Sequence, residues 1–83
     1  MQQEGVVVYA DARSGRFGLR MADGSYALGE QLDAQPLAVA QPLSGRVDTV
    51  GIETLADANT AATYSVFILA YDLSLEALEQ EFQ

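Results

Sequence analysis

Apolar and polar side chains alternate along the first 30 residues of the chain, in short runs that turn-forming residues separate. A period of two residues is typical of a β-strand that buries one face. The second run holds Phe17, Leu19 and Met21 on one face and Arg16 and Arg20 on the other. Because an unpaired arginine is costly to bury, we predict that the three apolar side chains lie in the core and both arginines outside it.

Later runs extend the prediction to five strands. Asp23-Gly24 is a strong signal for a tight turn between the second and third strands, because glycine accepts a positive φ. Residues 63–71 are the most hydrophobic stretch, and their unbroken apolar centre predicts a strand that is covered on both faces. Residues 51–62 show no clear period and are interpreted as a loop, and two prolines leave space for only a short edge strand, Leu37–Ala40. The predicted strands span about residues 6–9, 16–21, 25–30, 44–50 and 63–71.

A short amphipathic helix is predicted at the end of the sequence. Leu75, Leu78 and Phe82 recur at positions i, i+3 and i+7, and Asp72 or Ser74 can cap the helix N-terminus. A helix of about ten residues is not stable in water by itself. We therefore expect its apolar stripe to pack against an open end of its own barrel or, alternatively, against a partner.

Length and composition predict a single small globular domain, residues 1–83. Apolar residues make up 49 % of the chain, and no run is long enough for a membrane helix or a signal peptide. We therefore expect a cytoplasmic protein with no membrane association. The sequence contains no cysteine and no histidine, which are the usual zinc ligands and acid–base groups. We expect no enzyme activity, no bound metal and no cofactor.

Charge is unevenly distributed along the chain, whose formal net charge is −8. The first 20 residues carry three arginines and two acids, a net charge of +1, and the rest carries one arginine and ten acids, a net charge of −9. An acidic surface disfavours non-specific binding of nucleic acids. Asp48 with Glu53, and Asp57 with Asn59, are interpreted as solvated loop residues, because they do not complete a calcium-binding loop.

The beginning of the chain resembles a cold-shock domain, a small barrel of the OB-fold type. Gly5, Val7 and Tyr9 match the opening strand of that family, Gly15–Arg20 occupies the place of its ribonucleoprotein motif, and Asp23-Gly24-Ser25 follows as it does there. The resemblance covers about a third of the chain. In the family, aromatic side chains of the second strand face solvent and stack on bases, whereas the alternation here turns the corresponding aromatic side chain inward.

The strand pattern and this resemblance together predict a mainly β fold. We expect a five-stranded, OB-like small barrel over about residues 5–71, followed by a short C-terminal α-helix over about residues 74–82. Glycines in the second and third strands are expected at bends or bulges, which a small barrel needs in order to curl.

Our first functional hypothesis is a non-enzymatic protein-interaction module. The sequence lacks the residue types that most catalysis uses, and an exposed stripe of Leu75, Leu78 and Phe82 would form a docking face. The occupant would be a partner protein or a second copy of the chain in a homodimer.

Two further hypotheses concern nucleic acids. The chain would bind a single strand with its early arginines, and Tyr9 or Tyr26 would stack on the bases. Those arginines are Arg13, Arg16 and Arg20. In the other hypothesis, the carboxylates imitate a nucleic-acid backbone and bind a basic protein.

Overall fold

Residues 2–83, which a computed structural model describes, form six β-strands and one short helix. The strands are β1 (Gln3–Ala10), β2 (Arg16–Met21), β3 (Tyr26–Gln31), β4 (Pro42–Gly45), β5 (Gly51–Asp57) and β6 (Thr63–Leu73), and the helix is α1 (Leu75–Gln80). Met1, the first residue of the expected domain, lies outside the described residues.

The strands form a closed barrel in the order β1-β2-β3-β6-β5-β4, and all of its neighbouring pairs are antiparallel. Residues 32–41 connect one three-stranded meander, β1 to β3, with another, β4 to β6. Because β4 returns beside β1, the first four strands make a Greek key. The prediction of a mainly β fold with a small barrel and a short C-terminal helix is confirmed. The described part of the chain contains six strands where five were expected.

The additional strand, β5, lies in the segment that the sequence pattern indicates as a loop, so that interpretation is wrong. Leu55 and Asp57 are buried, and Glu53 lies on the same side of the strand. Because two of these three inward positions are acidic, the alternation of β5 is not visible as a hydrophobic period. The strand pairs with β6 from Gly51 to Ala56, and the hydrophobic pattern does not predict this pairing.

Two other predicted strands differ from the structure. Leu37–Ala40 is not a strand, because Ala40 has a φ of 79°, which extended backbone does not allow. Leu37 instead packs against the core from an irregular segment. The strand predicted at residues 44–50 is shorter and starts earlier as β4, since the chain turns inward after it and buries Val47. The N–H of Val47 donates to Oε1 of Gln3 at 3.0 Å.

The barrel interior is apolar, and the predicted orientation of β2 is confirmed. Phe17, Leu19 and Met21 are buried, while Arg20 is exposed. The Phe17 ring lies over Gly29, its partner on β3, where an added Cβ would be 2.5 Å from Cζ of the ring. Other core side chains are Val7, Ala27, Leu43, Val47, Leu55, Tyr64, Val66 and Ile68.

A polar cluster closes the barrel where β4 meets the end of β5. Asp57 is only 7 % exposed, so its interpretation as a solvated residue is wrong. Its carboxylate accepts hydrogen bonds from the N–H groups of Asn59 (2.6 Å) and Thr60 (3.1 Å) and from Nε2 of Gln41 (2.7 Å). Gln41 also donates to the hydroxyl of Tyr64 at 2.8 Å. These hydrogen bonds hold the pKa of Asp57 below its ordinary value, and the bond from the Asn59 N–H has the largest effect.

Replacing Asp57 by Asn should lower the melting temperature at neutral pH, because an amide cannot accept all three hydrogen bonds. The pKa of Asp57 is lower in the folded state, so the unfolded chain binds its proton first on acidification. The contribution of the carboxylate is therefore present above about 3.8, the ordinary value, and is lost as the pH falls through the folded value. Melting curves of the native chain and of Asp57→Asn should accordingly converge in acid. The exposed Asp48→Asn is the control, and equal melting temperatures of Asp57→Asn and the native chain at neutral pH would contradict this account.

Candidate functional site

The C-terminal helix begins at one of its two predicted caps. Oγ of Ser74 accepts a hydrogen bond from the N–H of Ala77 at 3.1 Å, and the Ser74 carbonyl accepts one from Leu78 at 3.1 Å. Regular helix ends at Gln80, two residues earlier than predicted, and a turn follows it. Because so short a helix is unstable alone, its position depends on the surface that it contacts.

The helix packs on its own chain, as expected, but on the outer wall of the barrel and not in an open end. Leu78 is fully buried, yet it is not part of the core cluster inside the barrel. Its Cδ2 is 2.9 Å from the position that a Cβ would take at Gly18 of β2. The glycine therefore leaves a hollow that the leucine fills. Leu28, directly opposite Gly18 on β3, is buried on the same wall.

Three further contacts hold the end of the chain against β1 and β2. The rings of Tyr9 and Phe82 stack with centroids 4.9 Å apart and an angle of 14° between their planes. The hydroxyl of Tyr9 donates to Oε2 of Glu79 at 3.1 Å, and this hydrogen bond raises the pKa of Tyr9. Nη1 of Arg16 is 3.5 Å from Oε1 of Glu81. This ion pair is half exposed, so it orients the chain more than it stabilises the fold.

Four of the five residues predicted to bind nucleic acid, Tyr9, Arg16, Arg20 and Tyr26, lie on the outer wall of β1–β3, but the C-terminal helix packs between them. Tyr9 and Arg16 contact the C-terminal segment. Arg20 and Tyr26 lie opposite each other on β2 and β3, and the position where the helix packs separates them from Arg16. Arg13 lies in the turn after β1, where its N–H donates to Asp11.

The stripe predicted to bind a partner is largely used by the barrel itself. Leu78 is buried and Phe82 is stacked on Tyr9. Only Leu75 of these three residues keeps a substantial exposed surface, 39 %. The stripe is therefore a structural contact more than a free docking face.

A different apolar surface, which the sequence pattern did not reveal, lies on the outside of β5 and β6. Ile52 is 71 % exposed and stands opposite the half-buried Phe67, and the exposed Val50 precedes β5. We call Val50, Ile52 and Phe67 the apolar strip. Because the sequence pattern indicates a loop at residues 51–62, it does not show that Ile52 lies on the outer face of a strand. The signal that could have found it is a β-branched residue three positions before Leu55, on the opposite face of one strand.

One acidic side chain borders the apolar strip on the outer face. Glu30 of β3 lies opposite Phe67, whereas Glu53 follows Ile52 along β5 and lies on the inward side of the strand with Leu55. Arg46 is nearby in the loop after β4, but its Nε pairs with Oδ1 of Asp48 at 3.4 Å. The strip therefore has apolar side chains at its centre and a carboxylate, that of Glu30, beside Phe67.

Most of the remaining carboxylates serve the fold. Seven of the twelve acids accept hydrogen bonds or pair with an arginine within the chain; they are Asp11, Asp23, Asp33, Asp48, Asp57, Glu79 and Glu81. Among residues 2–83, no three acidic side chains come together in a way that could hold a metal ion. The described helix is also too short and too polar to cross a membrane.

Comparisons with protein-family models, with curated proteins and with solved structures give no match to this chain. The function is therefore inferred from the surface of the chain itself.

Replacing Leu78 by Ala should destabilise the protein by about 2–5 kcal/mol, the usual loss for a fully buried leucine. The helix should also detach, because the hollow at Gly18 would be only partly filled. Chemical denaturation measures the first effect, and amide hydrogen exchange in residues 75–80 measures the second. Leu75→Ala is the matched control and should cost much less, since Leu75 is partly exposed. Equal losses in the two variants would show that Leu78 does not anchor the helix.

Proposed function

We propose that this chain is a non-enzymatic protein-interaction module that binds a basic partner protein through its apolar strip. The observation that carries the proposal is Ile52, a large apolar side chain left 71 % exposed on a regular strand and paired with Phe67. Covering one large apolar side chain contributes about 1.5–3 kcal/mol. A pair of neighbouring apolar side chains that is left exposed on a small acidic protein is a surface that a partner can cover.

The charge of the surface supports a basic partner. Glu30 adjoins the strip, and the formal net charge of the whole chain is −8. Complementary charge speeds the encounter of two proteins and disfavours acidic competitors. The same charge opposes a homodimer, because two copies would repel each other.

The absence of enzyme activity is part of the proposal. The sequence provides no histidine or cysteine, and most of its carboxylates are held in turns or ion pairs. An acidic mimic of a nucleic acid would need its carboxylates free and evenly spaced. The use of seven acids within the chain argues against that hypothesis.

The alternative of a cold-shock-like, single-stranded nucleic-acid binder has weaker support. Stacking on Tyr9 competes with Phe82, and a phosphate near Arg16 competes with Glu81. The inward orientation of Phe17 also removes the aromatic side chain that the resemblance would place on the surface. The small closed barrel agrees with an OB-like form only in its general architecture.

At about 150 mM salt, the protein should bind a 12-nucleotide single-stranded DNA no more tightly than about 100 μM, the weak end of non-specific affinity. Fluorescence anisotropy with labelled DNA and RNA measures this. Submicromolar binding that falls steeply with salt and is lost in Arg16→Glu would instead support the nucleic-acid hypothesis. Arg46→Glu, which makes the same charge change on another part of the surface, is the matched control.

A photo-crosslinking amino acid at position 52, introduced in the cells that produce the protein, should capture a basic protein. The same amino acid at Thr63, an exposed position at the other end of the β5–β6 ladder, should not. The captured protein is then purified, and Ile52→Ser should weaken its binding about tenfold or more while the melting temperature stays unchanged. The proposal is wrong if position 52 captures nothing more than position 63 does, or captures only a second copy of the chain.

A further inference from the structure

The apolar contacts of the C-terminal segment form a cluster of their own, outside the barrel. Leu78 and Leu28 are both buried, but neither belongs to the cluster of core residues inside the barrel. Leu28 faces the outer wall, because Leu19 and Phe17, which pair with its two neighbours along β3, point inward. Helix α1 packs on β3 and covers Leu28 from outside. The sheet therefore separates the two apolar clusters.

The barrel closes without residues 74–82, which we call the strap. Each of the six strands pairs with two neighbouring strands, and β6 makes its last pairing through Leu73. The backbone hydrogen bonds described for the strap stay within it, for example from Leu78 to Ser74 and from Phe82 to Glu79. Movement of the strap away from the wall would therefore break side-chain contacts and leave the sheet intact.

Those side-chain contacts are few, and most of them lie at the surface. Leu78 is the one buried residue of the helix, and the ion pair between Arg16 and Glu81 is half exposed. The last turn of the helix carries no base, and Glu79 lies at this end, where the helix dipole disfavours a negative charge. A helix of six residues is also unstable by itself. The strap therefore has the properties of a segment that opens locally.

We propose that the strap opens and closes as a unit while the barrel remains closed. The open form is a minor state of the free chain. It exposes Leu28 and the hollow at Gly18, together with the ring of Tyr9 and the guanidinium of Arg16. The strap thus controls access to the outer wall of β1–β3. This inference is independent of the proposed function, since the apolar strip lies on β5 and β6.

Amide hydrogen exchange of the native chain tests the proposal at several urea concentrations below the unfolding transition. The N–H of Leu78 should exchange at least about tenfold faster than that of Leu19 in β2. Its rate should also depend little on urea, because opening of the strap exposes much less surface than unfolding of the barrel. Equal protection of the two amides, with the same dependence on urea, would overturn the proposal, because both would then exchange only through global unfolding.

A variant of the wall should hold the strap open without changing the strap itself. The atoms nearest to an added Cβ at Gly18 belong to Leu78, so the side chain of Gly18→Val takes the place of the leucine. Strands favour a β-branched residue, so the barrel should remain folded. The N–H of Leu78 should then exchange nearly as fast as in an unstructured peptide, while that of Leu19 stays at least about tenfold more protected.

Arg20→Val is the matched control, because it places the same side chain at the next outward position of β2, which is exposed. The strap should stay closed in this variant. Undiminished protection of Leu78 in Gly18→Val would overturn the proposal. If Gly18→Val does not fold, exchange in the native chain decides the question.

Chemical labelling measures access to the wall directly. The sequence contains no cysteine, so an introduced thiol reports on one position. Leu28 and Val66 are 5 % and 0 % exposed, the first under the strap and the second inside the barrel. A disulfide reagent for thiols should label Leu28→Cys at least about tenfold faster than Val66→Cys, because only the strap must open. Equal rates at the two positions would overturn the proposal.

Discussion

The fold depends on β4, the short strand that closes the barrel. It pairs with β1 from Pro42 to Gly45 and with the end of β5, so that two edges of the sheet meet around one core. The chain then turns inward to bury Val47, and Gly45 lies so close to Leu55 that no larger residue fits. These contacts keep β4 short. Closure of the core and the shortness of the ladder between β4 and β5 therefore have the same physical cause.

A second glycine determines which part of the surface remains available. Gly18 leaves a hollow on the outer wall, and Leu78 fills it. Once the helix is anchored there, its glutamates face the tyrosine and arginine of β1 and β2. The most basic part of the chain is thus partly neutralised by contacts within the chain. The apolar strip on the outside of β5 and β6 is left uncovered.

Sequence reasoning succeeded where one face of an element is clearly apolar. The alternation around Phe17 gave the orientation of β2, and the stripe with its Ser74 cap gave the helix. It failed at β5, whose inward positions include Glu53 and Asp57, because a hydrogen-bonded carboxylate replaces an apolar side chain there. The position of the helix could not be predicted either. The pattern indicates a bend or bulge at Gly18 and does not show the hollow that Leu78 fills.

The contact between Tyr9 and Glu79 has a consequence for how the molecule forms. The two residues are 70 positions apart, and β1 also waits for β4 before its second edge is paired. Closing these long loops therefore costs conformational entropy before the contacts that compensate for it are made. Such a chain should fold in milliseconds to seconds, more slowly than a helical protein of its size. During synthesis β1 therefore remains incomplete until β4 and the residues of the C-terminal helix have been made, and the nascent chain is exposed to aggregation in the meantime.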